Sequence, residues 1–285
     1  MEQFVKTILV TGACGYIGTH VVDSLLKRND VMVIGMDVDI PNDGITSGAK
    51  YIEADFTTSN MWKEKLPCIP DVCLHLAWRN GFQHNNPSHM LDLSSHFAFL
   101  EQVMELGVPQ IAAMGTMHEV GYWEGAVSET TPCNPSSLYG IAKNALRESF
   151  LFRAAQQDIK AQWIRAYYIT GDDVSSQSIF GKLMRADKRG EAFFPFTSGK
   201  NKYDFLDVAT LADQIAATVT QDKILGIVNC CSGIPISLGE RVEGFIKENG
   251  LSIHLDYGAY PDRPYDSPGI WGDATKIQEI MNLQM

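Results

Sequence analysis

A tyrosine and a lysine four residues apart are the side chains of this sequence best suited to moving a proton. If Tyr139 and Lys143 lie on a helix, that spacing places the phenol and the ammonium on one face. A phenol with its ordinary pKa of about 10 is a poor acid–base catalyst at neutral pH. A neighbouring ammonium stabilises the phenolate and brings the pKa of the tyrosine toward the working range. The alternative is an ordinary surface pair, which many helices carry.

Thr116 is a third candidate because of its place after an apolar run. Residues 110–114 are typical of a buried strand, and Thr116 lies just beyond them. In a parallel sheet, ligands bind at the carboxyl ends of the strands. The Thr116 hydroxyl would then hold a substrate carbonyl while Tyr139 transfers the proton. Thr116, Tyr139 and Lys143 are therefore the predicted catalytic residues. Tyr139 and Lys143 are also predicted to bind a nicotinamide cofactor, Lys143 by holding the hydroxyls of its ribose.

A glycine turn near the start of the chain indicates the scaffold that would position these side chains. An apolar run, 6–10, leads into three spaced glycines, and an amphipathic segment, 19–27, follows. Strand, glycine turn and helix in this order are typical of a dinucleotide-binding unit, although the spacing differs from the commoner Gly-x-Gly-x-x-Gly. The glycines allow a tight turn, close approach to a pyrophosphate and close helix packing, and the helix N-terminus attracts phosphate. The predicted cofactor-binding residues here are Gly12, Gly15, Tyr16, Ile17 and Gly18.

An acidic residue at the end of the next apolar run bears on the choice of cofactor. Residues 31–36 end in Asp37, about where a carboxylate binds the adenosine ribose hydroxyls. A carboxylate there would repel a ribose phosphate, which favours NAD(H) over NADP(H) but leaves NADP(H) open. Asp39 competes for the same assignment, and Asp37 could instead only cap a loop.

Composition excludes several other classes of protein. The 285 residues are 45% hydrophobic and 20% charged, as in a globular protein with a full core. The net charge of -11 disfavours a nucleic-acid partner, and no apolar run has the length of a membrane span. The six cysteines form neither a Cys-x-x-Cys pair nor a cluster with zinc spacing, so no metal site is expected. With no secretory signal at the start, the sequence predicts a reduced, cytoplasmic protein.

Strand-like and helix-like segments alternate through the first half of the chain. This pattern predicts an α/β fold with a doubly wound parallel (Rossmann) sheet. Domain boundaries are predicted at 1–170 for the dinucleotide-binding domain and 171–285 for a smaller C-terminal substrate-binding lobe, with some segments returning to the sheet. The further predicted strands are 50–53, 72–76, 110–114, 161–167 and 222–228, and the predicted helices are 61–66, 89–106, one starting at 136, 211–218 and 238–248.

Several motifs in order along the chain form one pattern: Gly12-x-x-Gly15-x-x-Gly18, Asp37, Asp55-Phe56, His75-Leu76-Ala77, Thr116 and Tyr139-x-x-x-Lys143. Together they resemble the extended short-chain dehydrogenase/reductase family, of the NAD-dependent epimerase/dehydratase type. That family includes nucleotide-sugar epimerases, dehydratases and 4-ketoreductases. The resemblance covers nearly the whole chain and implies a nucleotide cofactor and a nucleoside-diphosphate sugar substrate.

The resemblance also implies roles for particular residues. Asp55 and Phe56 would border the adenine, and Leu76 and Ala77 would line the cofactor phosphates. On the substrate side it implies contacts from Thr116, His118, Tyr168, Ser178 and Arg263. Arg263 would hold the substrate diphosphate with its guanidinium fork, or else be a solvated loop arginine. A homodimer is implied through the helices 89–106 and 136–155.

The segment after the strand at 110–114 departs from the family's dehydratases. They read Thr-Asp-Glu-Val-Tyr-Gly, whereas residues 116–122 read Thr-Met-His-Glu-Val-Gly-Tyr. Glu119 matches the family glutamate, but His118 replaces the aspartate that moves protons on the sugar, so dehydration is disfavoured. His118 is either an acid–base group or a histidine that only packs. Asp92 stands where many members carry an asparagine.

These observations lead to one expected function and two alternatives. The expected reaction is NAD(P)H-dependent reduction of the C4 carbonyl of a nucleoside-diphosphate 4-keto-6-deoxy sugar. A nucleotide-sugar 4-epimerase with tightly bound NAD would use the same residues. A non-catalytic dinucleotide-binding protein would be expected to lose Thr116, Tyr139 and Lys143, all of which are present.

Overall fold

The computed structural model describes residues 5–41, 46–171, 178–262 and 266–283. The strands are β1 (Lys6–Thr11), β2 (Val31–Asp37), β3 (Lys50–Glu53), β4 (Val72–His75), β5 (Gln110–Thr116), β6 (Gly125–Val127), β7 (Lys160–Ala166), β8 (Tyr168–Thr170), β9 (Phe193–Pro195), β10 (Lys202–Asp207), β11 (Gly226–Cys230), β12 (Pro235–Ser237), β13 (His254–Asp256) and β14 (Gly269–Gly272). The α-helices are α1 (Tyr16–Leu26), α2 (Ser88–Leu91), α3 (Leu93–Glu105), α4 (Leu138–Gln156), α5 (Ile179–Lys188), α6 (Val208–Thr220), α7 (Leu238–Glu248) and α8 (Thr275–Asn282). Two short 3-10 helices cover Met61–Lys65 and Met117–Glu119.

Seven parallel strands form the central sheet in the order β11-β7-β5-β4-β1-β2-β3. The chain moves outward from β1 in one direction through β2 and β3, and then in the other through β4, β5 and β7. The order therefore reverses between β1 and β4, which opens a crevice at their carboxyl ends. This topology confirms the predicted doubly wound parallel sheet.

Alternation along the strands divides the core into two layers. On β1, Ile8 and Val10 face one cluster, which includes residues of α1 and α6. Leu9, between them, faces the other cluster, which includes residues of α3 and α4. Both faces of the sheet are thus buried, as the continuous apolar character of its strands requires.

The segments after residue 170, together with β6 and β8, build smaller sheets, and β11 returns to the large one. Strands β12, β10, β14 and β6 form a second sheet, with β8 paired to β10, and β9 pairs with β13. Strand β11 adds an edge to the central sheet beside β7, and α6 packs against α1. The division at 170/171 stays a prediction.

Several predicted elements differ in detail. The helix predicted at 89–106 is two helices, α2 and α3, with Asp92 as the cap residue of both. The helix predicted at 61–66 is a 3-10 helix, and the strand predicted at 222–228 begins only at Gly226, which has a positive φ of 77°. Within the described residues, no helix combines the length and apolar character needed to cross a membrane.

Candidate active site

The glycine turn lies at the carboxyl end of β1, where the chain enters α1. Gly12 has a positive φ of 68°, and a Cβ there would lie 2.8 Å from the backbone of Ala77, just after β4. A Cβ on Gly18 would lie 2.0 Å from the carbonyl oxygen of Gly12. Glycine is therefore required at both positions, for the turn and for the packing of α1 onto it. A Cβ on Gly15 would be 3.2 Å from the same oxygen, which is less severe.

The carboxylate of Asp37 is fixed against this turn. Its Oδ2 accepts from the backbone N–H of Cys14 at 2.9 Å, and its Oδ1 accepts from that of Val38 at 2.8 Å. Asp39 is exposed two residues further along. Position and fixation favour Asp37 over Asp39 as the ribose ligand, a role that stays a prediction.

These features fit a dinucleotide. The turn is so tight that a side chain at Gly12 or Gly18 would collide with backbone, and α1 starts at Tyr16 with no side-chain cap from the described residues. The first N–H groups of an uncapped helix are ready donors to phosphate. The glycine turn would hold the diphosphate of NAD, and Asp37 would hold the adenosine ribose.

The three residues predicted as catalytic lie on two elements that pack together, β5 and α4. Thr116 ends β5, and Tyr139 and Lys143 lie in the first two turns of α4. The hydroxyl of Thr116 faces the phenol of Tyr139 closely enough to oppose part of the rise in its pKa. Thr116 Oγ1 also accepts from the backbone N–H of His118 at 3.3 Å. The structure thus places a hydroxyl pair at the carboxyl edge of the sheet, as the sequence predicts.

Lys143 is buried, with 3% of its surface exposed. Its Nζ donates to the carbonyl oxygen of Met114 at 2.7 Å and lies 3.8 Å from the centroid of the Trp78 ring. Burial lowers the pKa of Lys143 to about 7, against the attraction of Glu119. The ammonium and the free amine are therefore close in energy near neutral pH.

Four rings surround the phenol of Tyr139, and we call them the ring box: Trp78, His84, His89 and His118, with centroids 5.2 to 6.2 Å away. The backbone N–H of Tyr139 donates to the carbonyl of His84 at 2.8 Å, which anchors α4 to the loop after β4. Burial raises the pKa of Tyr139 above its ordinary value, and the hydroxyl of Thr116 opposes this rise only in part. The expectation that Lys143 lowers this pKa is therefore wrong for the structure as it stands, because desolvation of the phenolate dominates.

Two buried histidines connect this site to the glycine turn. Thr11 Oγ1 lies 2.7 Å from His75 Nδ1, and His75 Nε2 lies 2.9 Å from His96 Nδ1. Thr11 Oγ1 also accepts from the backbone N–H of Ala77 at 3.3 Å. Burial lowers the pKa of both histidines, to about 3 for His96, so both rings are neutral at pH 7.

Sequence reasoning missed most of these rings. It named His75 and His118, but not Trp78, His84, His89 or His96. A signal was present in the composition, since four of the seven histidines fall between residues 75 and 96. Their spacing matches no metal motif, and only the fold brings them around Tyr139.

Glu119 has a structural place. It is fully buried, and its carboxylate accepts from the backbone N–H of Thr116 at 2.6 Å and from Trp163 Nε1 at 3.0 Å. It also pairs with Arg165 at 3.4 Å and Arg147 at 3.6 Å. The carboxylate is thus engaged by the protein, and the expectation that dehydration is disfavoured, which rests on His118 in place of the aspartate, stays a prediction.

The residues predicted near the adenine and the phosphates lie at the ends of the neighbouring strands. Asp55 Oδ1 accepts from the backbone N–H of Thr57 at 2.8 Å. Phe56 packs on the rings of His75 and His96, each with centroids 5.3 Å apart, and so supports the histidine pair. Leu76 and Ala77 follow β4 beside Gly12.

Apart from Thr116 and His118, the predicted substrate contacts lie beyond β7. Tyr168, on β8, packs on Tyr203 with ring centroids 4.4 Å apart, and Ser178 is the N-cap of α5, accepting from the N–H of Gly181 at 3.2 Å. Arg263 lies outside the described residues. Asp92, at the position of the family asparagine, is engaged by Arg79, whose Nη2 donates to it at 2.8 Å. The described residues contain no group of three or more His, Cys, Asp or Glu side chains placed to hold a metal ion.

A family model for the NAD dependent epimerase/dehydratase family matches residues 8–231. The chain belongs to this family. The match confirms the resemblance inferred from the motifs, and with it NAD as the cofactor. It also confirms an enzyme of the NAD-dependent nucleotide-sugar oxidoreductase and epimerase class, against the alternative of a non-catalytic protein.

Relatives of similar length match along nearly the whole chain. A dTDP-6-deoxy-L-talose 4-dehydrogenase (NAD(+)) from Aggregatibacter actinomycetemcomitans is 44% identical over 268 residues, which cover 93% of this chain and 98% of the relative. An uncharacterized UDP-glucose epimerase from Bacillus subtilis (strain 168) is 24% identical over 294 residues, covering 96% and 92%.

Two solved structures have the same fold. A UDP-N-acetylglucosamine 4-epimerase from Methanobrevibacter ruminantium M1, in complex with UDP-N-acetylmuramic acid, matches with a TM-score of 0.83 and 18% identity. MoeE5 in complex with UDP-glucuronic acid and NAD matches with a TM-score of 0.81 and 22% identity. Each match covers 97% of this chain and 92% of the other. At these identities they establish the fold alone.

Proposed function

We propose that this enzyme interconverts the C4 carbonyl and C4 hydroxyl of a nucleoside-diphosphate 6-deoxy sugar, and that it acts as an NADH-dependent reductase of the 4-keto form. The observation that carries the proposal is that the Thr116 hydroxyl faces the phenol of Tyr139, one helical turn from the buried Lys143. The relative at 44% identity, named for 4-dehydrogenation of a dTDP-6-deoxy sugar, supports the substrate class. Reduction is the proposed direction.

In the proposed reaction each residue of this group has one task. NADH, when bound, supplies the hydride. Thr116 holds the carbonyl oxygen by hydrogen bond, and Tyr139 gives its proton to the oxygen as negative charge develops there. Lys143 in its ammonium form stabilises the resulting phenolate. In the oxidative direction Tyr139 takes the proton back.

The surroundings of Tyr139 fit proton transfer to the C4 oxygen of the sugar rather than to a water molecule. Burial raises the pKa of the phenol, which keeps it protonated and ready to donate at neutral pH. The ring box limits the water that could compete for the proton. Asp37 favours NADH over NADPH through repulsion of a ribose phosphate. Tyr168, Ser178 and Arg263 are proposed to contact the nucleotide sugar.

A nucleotide-sugar 4-epimerase is the second candidate, because the same residues serve it and the 24% relative is named as an epimerase. An epimerase keeps NAD bound and returns the hydride to the other face, so it consumes no cofactor. Net change in NADH therefore separates the two functions.

The deciding experiment follows nicotinamide absorbance while the purified enzyme meets dTDP-, UDP-, CDP- and GDP-linked 4-keto-6-deoxy sugars. Stoichiometric loss of NADH with one of them is the expected result. In the reverse assay, with NAD and with dTDP-6-deoxy-L-talose as the sugar of matching C4 stereochemistry, NADH should form. No net NADH change in either direction, together with NAD retained through purification and an epimerised product, would favour the second candidate.

A homodimer and a cytoplasmic location are also part of the proposal. Leu91 on α2 and Phe152 on α4 are 75% and 64% exposed, on elements where the family resemblance implies a subunit interface. Sedimentation at micromolar concentration should give twice the chain mass. The described cysteines are all free thiols, which accords with a reducing compartment.

A further inference from the structure

The indole of Trp78 is held on several sides by neighbouring groups. The ring of His96 stacks on it with centroids 4.3 Å apart and an interplanar angle of 20°. Its Nε1–H donates to His89 Nδ1 at 3.0 Å, and His89 Nε2 lies 3.0 Å from the carbonyl oxygen of Gln83. Because His89 accepts at Nδ1, its proton is on Nε2 and bonds that carbonyl. These contacts fix both the position and the tilt of the indole.

Lys143 lies over this fixed ring. Its Nζ is 3.8 Å from the ring centroid, well within the range in which the negative face of an indole attracts an ammonium. The attraction is strongest where water is excluded, and Lys143 is buried. The carbonyl of Met114 accepts from the same nitrogen and fixes its direction.

Other groups near Lys143 do little to keep it charged. The titratable side chains that bear on it are Glu119, His75 and His96, and Tyr139 lies one helical turn before it. The carboxylate of Glu119 already pairs with Arg147 and Arg165, and the two histidines repel the ammonium if they are protonated. Tyr139 is neutral until its proton leaves. The indole face therefore adds a stabilisation of the ammonium that does not depend on pH.

We propose that Trp78 is a positioning residue for Lys143, holding the ammonium beside Tyr139 and favouring its charged form. The inference rests on the role of Lys143 in the proposed function. It explains why the loop after β4 is tied to α4 through His84, since that loop carries the indole to the lysine.

The test compares Trp78→Leu, which removes the ring face, with Trp78→Phe, which keeps a weaker one. Trp62→Phe is the matched control, because Trp62 is also buried and packs on Phe99, away from Lys143. The NAD dissociation constant and kcat/KM are measured from pH 6 to 9. The fall of either profile at high pH, its alkaline limb, is assigned to Lys143 where the Lys143→Met variant lacks it. We expect this alkaline limb to move to lower pH by about one unit in Trp78→Leu, and by less in Trp78→Phe. Trp62→Phe should leave it in place.

Two results would overturn the proposal. An alkaline limb that stays in place, or moves to higher pH, would mean that water stabilises the Lys143 ammonium at least as well as the indole does. Tighter NAD binding by Trp78→Leu at every pH would mean that the indole obstructs the cofactor. If Trp78→Leu does not fold, Trp78→Phe decides alone, with an expected downward shift of about half a unit. NAD binding is read without a sugar, so failure of the proposed substrate leaves this test intact.

Discussion

The two halves of the candidate site are built in different ways. The cofactor half is one short turn, 11–18, whose shape follows from backbone contacts at Gly12 and Gly18. The proton-transfer half collects side chains from the loop after β4, the end of β5 and the start of α4. The first half is set by close backbone contacts, within the turn and with Ala77, whereas the second exists only after side chains from distant segments have packed together.

Because of this difference, the two halves should tolerate different kinds of substitution. A turn set by missing Cβ atoms fails when a methyl group is added, whatever its chemistry. A box of rings around a phenol keeps its shape when one hydroxyl is removed, because its packing is unchanged. We therefore expect chemical substitutions to act on the proton-transfer half and steric ones on the cofactor half.

The largest expected effect is on turnover when the phenol loses its hydroxyl. Tyr139→Phe keeps the ring inside the ring box, so folding and NAD affinity should be unchanged. Turnover should fall by about 10²- to 10⁴-fold, the range for loss of a general acid. Steady-state kinetics with the substrate found in the panel, together with calorimetric NAD binding, measure both. Near-normal turnover would show that the proton comes from another group, and that the proton-transfer half is not organised around Tyr139 as the acid.

The second prediction tests the steric half. Gly12→Ala forces a non-glycine residue to a φ of 68° and places its Cβ 2.8 Å from the Ala77 backbone. We expect a loss of about 2 to 4 kcal/mol in the free energy of unfolding, and weaker NAD binding. Gly81→Ala is the control, because a Cβ there meets nothing within 4 Å and its φ is not positive. Equal unfolding midpoints in urea for both variants would contradict the argument.

The difference between local patterns and distant packing also explains which features could be predicted from the sequence. The parallel sheet, the glycine turn and the helix that carries both Tyr139 and Lys143 all follow from local patterns, and the structure agrees with them. The surroundings of Tyr139 were not readable, because Trp78 and His84 are far from it in sequence and match no motif. The sign of the pKa shift of Tyr139 depends on that burial, so the sequence argument from Lys143 alone gave the wrong direction.

The third prediction concerns the carboxylate of Asp37, which accepts a hydrogen bond from the turn that forms the cofactor half. Asp37→Asn keeps an oxygen that can accept from the N–H of Cys14, so the turn should persist. Loss of the charge should weaken NAD binding by about tenfold and narrow the preference over NADP by a similar factor. Titrations with both dinucleotides measure this. The exposed Asp39→Asn should change neither affinity, and the reverse outcome would transfer the ribose role to Asp39.

The smallest effect, and the sharpest comparison, concerns the charge of Lys143. Its pKa is about 7 in the folded protein and about 10.4 in an unfolded chain. Between these values the unfolded chain binds more protons at this site, so the contribution of Lys143 to stability rises with pH across the window. Lys143→Met removes that contribution and leaves the slopes from the cysteines unchanged.

The unfolding free energy of the native enzyme, taken relative to Lys143→Met, should therefore rise by about 1 kcal/mol or more from pH 7 to pH 9. Urea unfolding of both proteins at each pH measures the difference. Parallel curves would mean that Lys143 stays charged throughout, because the indole of Trp78 and the carboxylate of Glu119 together outweigh its burial. The proton-transfer half would then keep Lys143 charged at every pH tested, as the cofactor half keeps the shape of its glycine turn. The two halves would differ only in the chemical groups that they fix.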